Sequence, residues 1–120
     1  MELKTCEKVC KECPFRKDSM KGWLGGFDVD EVLDAQQYEQ LYSCHLHRGE
    51  DSAQNEKDIE SGDIPICRGF LISAYLSCKV FGQHPQTGKS LRELQDSLVI
   101  TEEEKSLILN RWNFRTHHKK

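Results

Sequence analysis

Apolar residues along this chain cluster into short runs, and their spacing is helical in the second half. From Arg68 to Phe81, the residues Phe70, Leu71, Ala74, Tyr75, Cys78 and Phe81 recur at the period of one buried helix face. That run is the expected core helix, with Gly82 and Pro85 marking its exit. Ser90 to Leu98 reads as a second helix, striped by Leu91, Leu94 and Leu98 and capped by Ser90. A third starts at Thr101, which forms a capping box with Glu104, and its apolar face is Leu107, Ile108 and Trp112.

Upstream the pattern is weaker. Asp30 to Gln37 predicts a short helix capped by Asp28 or Asp30. Leu41 to Leu46 reads as an extended piece running through Cys44. The segment 47–63 is polar and acidic without clear period, so a loop with one helical turn around Glu56 to Glu60 is expected. Gly22 to Phe27 is a glycine-rich turn in which Trp23 and Phe27 are expected to pack inward. Thr5 to Lys17 is cysteine-rich, and Pro14 limits regular structure beyond Cys13. The fold class that follows is mainly α: a small single domain over residues 1–120, with irregular cysteine-bearing loops stapled by a metal site. Its cysteine-motif region spans about 5–80, and its C-terminal helical region about 90–116.

Composition explains the need for a staple. The 120 residues are 37% hydrophobic and 31% charged, a modest apolar content for one domain. Structural metal binding would add folding free energy directly. The net charge of −3 hides a segregation. Residues 1–27 carry six Lys/Arg against four Asp/Glu, residues 28–63 two against eleven, and residues 64–120 nine against five. The acidic middle argues against uniform coating of nucleic acid. It offers a partner-facing surface, while Arg111, Arg115, Lys119 and Lys120 leave room for a local phosphate-binding face.

Six cysteines carry the chemistry. The N-terminal residues have no apolar core or cleavage site, and no apolar stretch suits a membrane span. A reducing cytoplasm is therefore expected, where clustered thiols mean metal or redox chemistry more often than disulfides. Cys10 and Cys13 form a C-x-x-C hook, and Cys44 and Cys67 are distant singles. Four such thiolates make a plausible closed metal site. Cys67 and Cys78 lie eleven residues apart. On one helix that is about 16 Å, too far to share an ion, so Cys78 is expected to be a core hydrophobe. Cys6 stays an outside candidate. His45 follows Cys44 directly and reads as a hydrogen-bond partner of the site, as a candidate acid/base near it, or as a free surface residue. His84, His117 and His118 read as loop and tail residues. Zn²⁺ is the expected ion, with a [4Fe–4S] cluster as the alternative on the same four ligands. Arg16 and Arg68 are expected to neutralise the thiolates. Removing the metal is expected to unfold residues 5–67 first and to leave partial helix beyond 68.

These motifs support a resemblance. Cys10-x-x-Cys13-Pro14-Phe15-Arg16, then Cys44-His45, then Cys67-Arg68-Gly69-Phe70, resembles an uncharacterised family of small phage and bacterial proteins. The likeness covers roughly residues 5–80. It implies the four-cysteine set Cys10, Cys13, Cys44 and Cys67 and a phage or mobile-element origin, and it supplies no activity. Cys6 and Cys78 fall outside the shared pattern.

Two other signals are discounted. Gly82 to Ser90 looks like a P-loop but has five residues between its glycines where that motif needs four. Cys44-His45 is a poor nucleophile–base pair, because adjacent residues seldom reach each other. The expected function is therefore a non-enzymatic zinc module that binds a macromolecule, most simply a protein. The alternatives are an iron–sulfur redox or sensing protein, and a nucleic-acid binder using the basic C-terminal helix.

Overall fold

The computed structural model describes residues 1–24, 27–44 and 49–119. Among these residues there are six helices and no strand, only three isolated bridges. The helices are α1 (Val29–Gln37), α2 (Ser52–Ser61), α3 (Arg68–Leu76), α4 (Gly88–Ser97), α5 (Glu102–Leu107) and α6 (Arg111–His118). The radius of gyration is 13.1 Å, against about 14 Å expected for one compact unit of this length. The chain is a small, mainly helical single domain.

Helix α3 is the axis of the core. Residues 68–74 are all buried, so this helix is covered on every side rather than along one stripe. It also stops earlier than its apolar pattern predicts. The chain leaves the helix at Ser77, and Cys78 adopts a left-handed φ of 59°. Cys78 is consequently exposed, and Tyr75 is 52% exposed. The sequence expectation that both belong to the buried face is corrected: the turn at 77–78 ends the helix before Cys78, and Tyr75, within α3, lies on the exposed side of its last turn. Phe81 does enter the core, from the loop beyond.

An aromatic spine crosses this axis. Phe81 stacks on Phe70 at 6.1 Å, and Tyr42 stacks on Phe70 at 5.2 Å. Phe15 meets Phe70 edge-on at 6.2 Å and stacks on Phe114 at 4.6 Å. The spine thus joins the N-terminal hook, the central helix and α6. Leu24 is buried, but Trp23 and Phe27 on either side are 38% and 39% exposed, a correction to their expected inward packing.

Caps explain most boundaries. Asp28 and Glu31 close a capping box on α1. Asp51 accepts from the amides of Ala53 and Gln54 at the start of α2. Gly62, at φ 87°, ends α2 in the left-handed conformation that suits glycine. Thr101 and Glu104 form the expected capping box on α5. The expected continuation to Trp112 does not occur. Ile108 leaves the helix to bridge Arg16, and Asn110 caps a new helix, α6. Trp112 is therefore 81% exposed, while Phe114 takes the core position. Helix α4 begins at Gly88 after Thr87, two residues before the expected cap Ser90.

Candidate metal centre

Three short segments meet at Ile66. Thr5 bridges Ile66 in parallel, and Ser43 bridges it antiparallel. The Ile66 amide donates to Lys4 O at 2.7 Å, and the Thr5 hydroxyl donates to Ile66 O at 2.9 Å. On the other side, Cys44 N donates to Pro65 O and Cys67 N to Tyr42 O, both at 3.0 Å. Side chains alternate in extended backbone, so Cys6, Cys44 and Cys67, each one residue past a bridge, share the face opposite Ile66.

The hook brings two more thiols. Cys13 N donates to Cys10 O at 3.3 Å, closing a turn over residues 10–13. Leu109 N donates to Phe15 O at 2.7 Å and Lys17 N to Leu107 O at 2.9 Å, pinning the segment that leaves the hook. Cys13 Sγ then lies 3.8 Å from Cys67 Sγ. A Cβ at residue 69 would collide with Cys13 Sγ and stand 3.1 Å from Phe15 Cβ. Glycine at 69 thus leaves the space into which the hook's sulfur fits.

The thiols are linked in pairs. Cys13 and Cys67 are in direct contact, and electrostatic coupling links Cys6 to Cys44 and Cys10 to Cys13 and Cys44. Among the described residues, no group of three or more His, Cys, Asp and Glu is arranged to hold a metal ion. The five sulfurs are thus neighbours in pairs, not an assembled polyhedron.

Their electrostatics differ. The hydrogen bond from Cys13, aided by the Glu12 amide, pulls the Cys10 thiol down to about 6. Cys13, sharing its proton with Cys10 and Cys67 and buried, is pushed well up. Cys67 is lowered, first by Cys13 and then by the amides of Phe70 and Gly69. Those amides face its sulfur at the first turn of α3 without closing a side-chain cap, where the helix dipole also favours a thiolate. Burial first, then Cys44, pushes Cys6 up to about 12, so it stays a protonated donor.

Several sequence expectations are revised here. Cys6, only an outside candidate, joins the cluster through the Thr5–Ile66 bridge, a pairing with no local sequence signal. Among the described residues, neither Arg16 nor Arg68 has a hydrogen bond to sulfur. Arg16 pairs with Asp18 at 2.8 Å. Arg68 pairs with Glu104 at 2.7 Å and donates to Val99 O. Their charges still act on the thiols through space, Arg16 on Cys13 and Cys10, Arg68 on Cys6. His45 and His47 lie outside the described residues.

The C-terminal histidines are not tail residues. His118 is buried. Its Nδ1 accepts from Gly22 N at 3.0 Å, so Nε2 carries the proton and donates to Pro14 O at 2.8 Å. His117 Nε2 reaches Ser19 O at 2.8 Å. His84 is a turn residue as expected, its Nδ1 accepting from the amides of Gln86 and Thr87.

The glycine-rich loop at 82–88 does cradle an anion, but an internal one. Glu39 is buried at φ 58°. Its carboxylate accepts from the amides of Gly82, Gln83 and His84, and pairs with Lys79 at 3.3 Å. Burial pushes this carboxyl up, but the amides and the ammonium together hold it below its ordinary value.

The basic C-terminal face is partly spent. Arg111 donates to Leu33 O and Gln36 Oε1, both at 3.0 Å, and Arg115 pairs with Asp30 at 2.9 Å. No helix among the described residues is long and apolar enough to cross a membrane. No known protein family, curated protein or solved structure matches the chain.

Proposed function

We propose that this chain is a small metal-binding module in which Cys10, Cys13, Cys44 and Cys67 hold one Zn²⁺ in a structural role. The observation that carries this reading is the 3.8 Å separation of Cys13 Sγ and Cys67 Sγ. Four thiolates around zinc at about 2.3 Å stand about 3.8 Å apart along each tetrahedral edge. A [4Fe–4S] cluster places each thiolate on its own iron, and its ligand sulfurs stand well beyond contact. The electrostatic coupling of Cys10 to Cys13 and Cys44 points the same way. Amides directed at Cys10, Cys13 and Cys67 would stabilise the bound thiolates.

A site closed by four sulfurs leaves no position for substrate, so the module works by binding rather than catalysis. The partner that fits is a protein. Arg111 and Arg115 are engaged within the fold, which leaves fewer free cations for phosphates. A phage or bacterial origin and a cytoplasmic setting belong to the same reading. Metal analysis and an absorption spectrum on anaerobically purified protein test it. A colourless protein carrying zinc supports it, and a brown protein with a broad visible band transfers the four ligands to an iron–sulfur centre.

A further inference from the structure

One groove takes no wall from the thiol cluster: none of Cys6, Cys10, Cys13, Cys44 and Cys67 lines it. It encloses about 700 Å³ between the last turn of α3, the turn at 78–80, α4, the stretch 98–100 and α5. A cavity of roughly 300–1,000 Å³ suits one small organic molecule. Its apolar lining is Tyr75, Leu76, Val80, Leu98 and Ile100. Tyr75 and Val80 stay 52% and 53% exposed, so the fold leaves this apolar surface uncovered. The walls are fixed. Gln95 Oε1 accepts from Phe81 N at 3.1 Å, and its Nε2 donates to Lys79 O at 2.8 Å, which ties the turn to α4. Arg68 holds Val99 O at 2.8 Å and so fixes the stretch 98–100. Of the four charged side chains in the lining, three are cations: Lys79, Arg92 and Lys105, against Asp96. The Lys79 ammonium is spent on the buried Glu39 at 3.3 Å. Arg92 and Lys105 are held by neighbours on their own helices, Asp96 at 3.0 Å and Glu102 at 3.2 Å. Surface pairs of this kind are weak, so both cations can turn to a ligand.

We propose that this groove binds a small amphiphilic anion, a carboxylate at the end of a medium-length apolar chain. The chain lies on Tyr75, Leu76, Val80, Leu98 and Ile100 and takes their exposed surface out of water. The carboxylate accepts from the Arg92 guanidinium and the Lys105 ammonium, in place of Asp96 and Glu102. The lining decides the sign of the charge. A cationic head would face Arg92 and Lys105 and find one carboxylate, Asp96, already engaged. A neutral chain of equal length gains the apolar contact alone. Cys78 serves as a reporter: its thiol lines the groove at an exposed position, so an occupant shields it. The site is independent of the zinc reading.

The test titrates decanoate into the full chain by calorimetry, with decanol and decyltrimethylammonium for comparison. Peptide mapping follows alkylation of Cys78 by iodoacetamide along the same titration. The expected result is one decanoate bound in the micromolar range, more tightly than either comparison, with Cys78 alkylation slowing in step with saturation. Arg92→Gln and Lys105→Gln should each weaken decanoate about tenfold and leave decanol as in the parent. Val80→Glu, at an exposed position, should abolish uptake while thermal melting stays parental. Neither heat nor shielding of Cys78 at millimolar decanoate overturns the proposal. Equal binding of the cationic analogue, or parental affinity in both charge variants, overturns it as well. Binding that leaves Cys78 alkylation at the parental rate places the ligand elsewhere and ends the assignment. Slowing of alkylation by raised protein concentration alone would make the groove an interface between copies, and overturns it too.

Discussion

A methyl group at residue 69 would occupy the place of the Cys13 sulfur and press on Phe15 Cβ at 3.1 Å. The sulfur cannot simply swing aside, because Cys10 and Cys67 hold it from two sides, and Phe15 is locked in the aromatic spine. Gly69→Ala is therefore expected to cost about 1–3 kcal/mol, read from urea denaturation, and to lower metal content in the same preparation. Cysteine substitutions should separate by contact. Cys10→Ser, Cys13→Ser, Cys44→Ser and Cys67→Ser are each expected to lose metal. Cys78→Ala, at an exposed position, should retain metal and change stability by no more than about 0.5 kcal/mol, measured by metal analysis beside thermal melting. Release of metal by Cys78→Ala with retention by Cys67→Ser would undo the ligand set.

At the scale of elements, the loop before α4 is organised around a carboxylate rather than around its own side chains. Removing Glu39 strands three amides and the Lys79 ammonium in a buried place. Glu39→Ala is expected to cost about 3–5 kcal/mol, and millimolar formate should restore part of it by filling the vacated cradle. A denaturation midpoint that ignores both changes would deny the cradle any energetic role. Because the folded carboxyl is held below its unfolded value, its contribution is present above that value and fades as pH falls through the folded one. This cradle shows why some elements were legible and others were not. The caps of α1 and α5 are local pairs three residues apart, and the sequence displays them directly. Helix α2 has no apolar period to display: eight of its ten residues are polar, and only Ile59 is a buried apolar anchor. The break between α5 and α6 depends on Ile108 reaching Arg16, a contact across the whole chain. Among the thiols, the Cys10–Cys13 turn was legible from spacing, whereas the placing of Cys6 needed the bridge of Thr5 to Ile66.

Over the whole molecule, the N-terminal hook and α6 are one body. Phe15 stacks on Phe114, His118 holds Pro14 and Gly22, and Leu109 pairs with Phe15. The expectation that metal loss unfolds residues 5–67 first and leaves partial helix beyond 68 is thereby changed for α6. Chelation should lower hydrogen-exchange protection at 107–118 together with the hook, while α4 keeps its own. Equal protection with and without chelator would mean that the core sustains the cysteine segments unaided. Burial, more than the bond to Pro14 O offsets, lowers the His118 pKa, and protonating Nδ1 would break the bond from Gly22. Stability should therefore rise with pH through the region below about 6.5, and His118→Gln should flatten that slope in denaturation series across pH. The same bond has a meaning in the order of synthesis. Pro14 and the histidine that holds it are 104 residues apart, so a ribosome makes the hook long before its clamp. Early in that interval, until residues 44 and 67 are made, Cys6, Cys10 and Cys13 are without Cys44 and Cys67 beside them. Zinc met at that stage would find only two of its four proposed ligands, Cys10 and Cys13, already made.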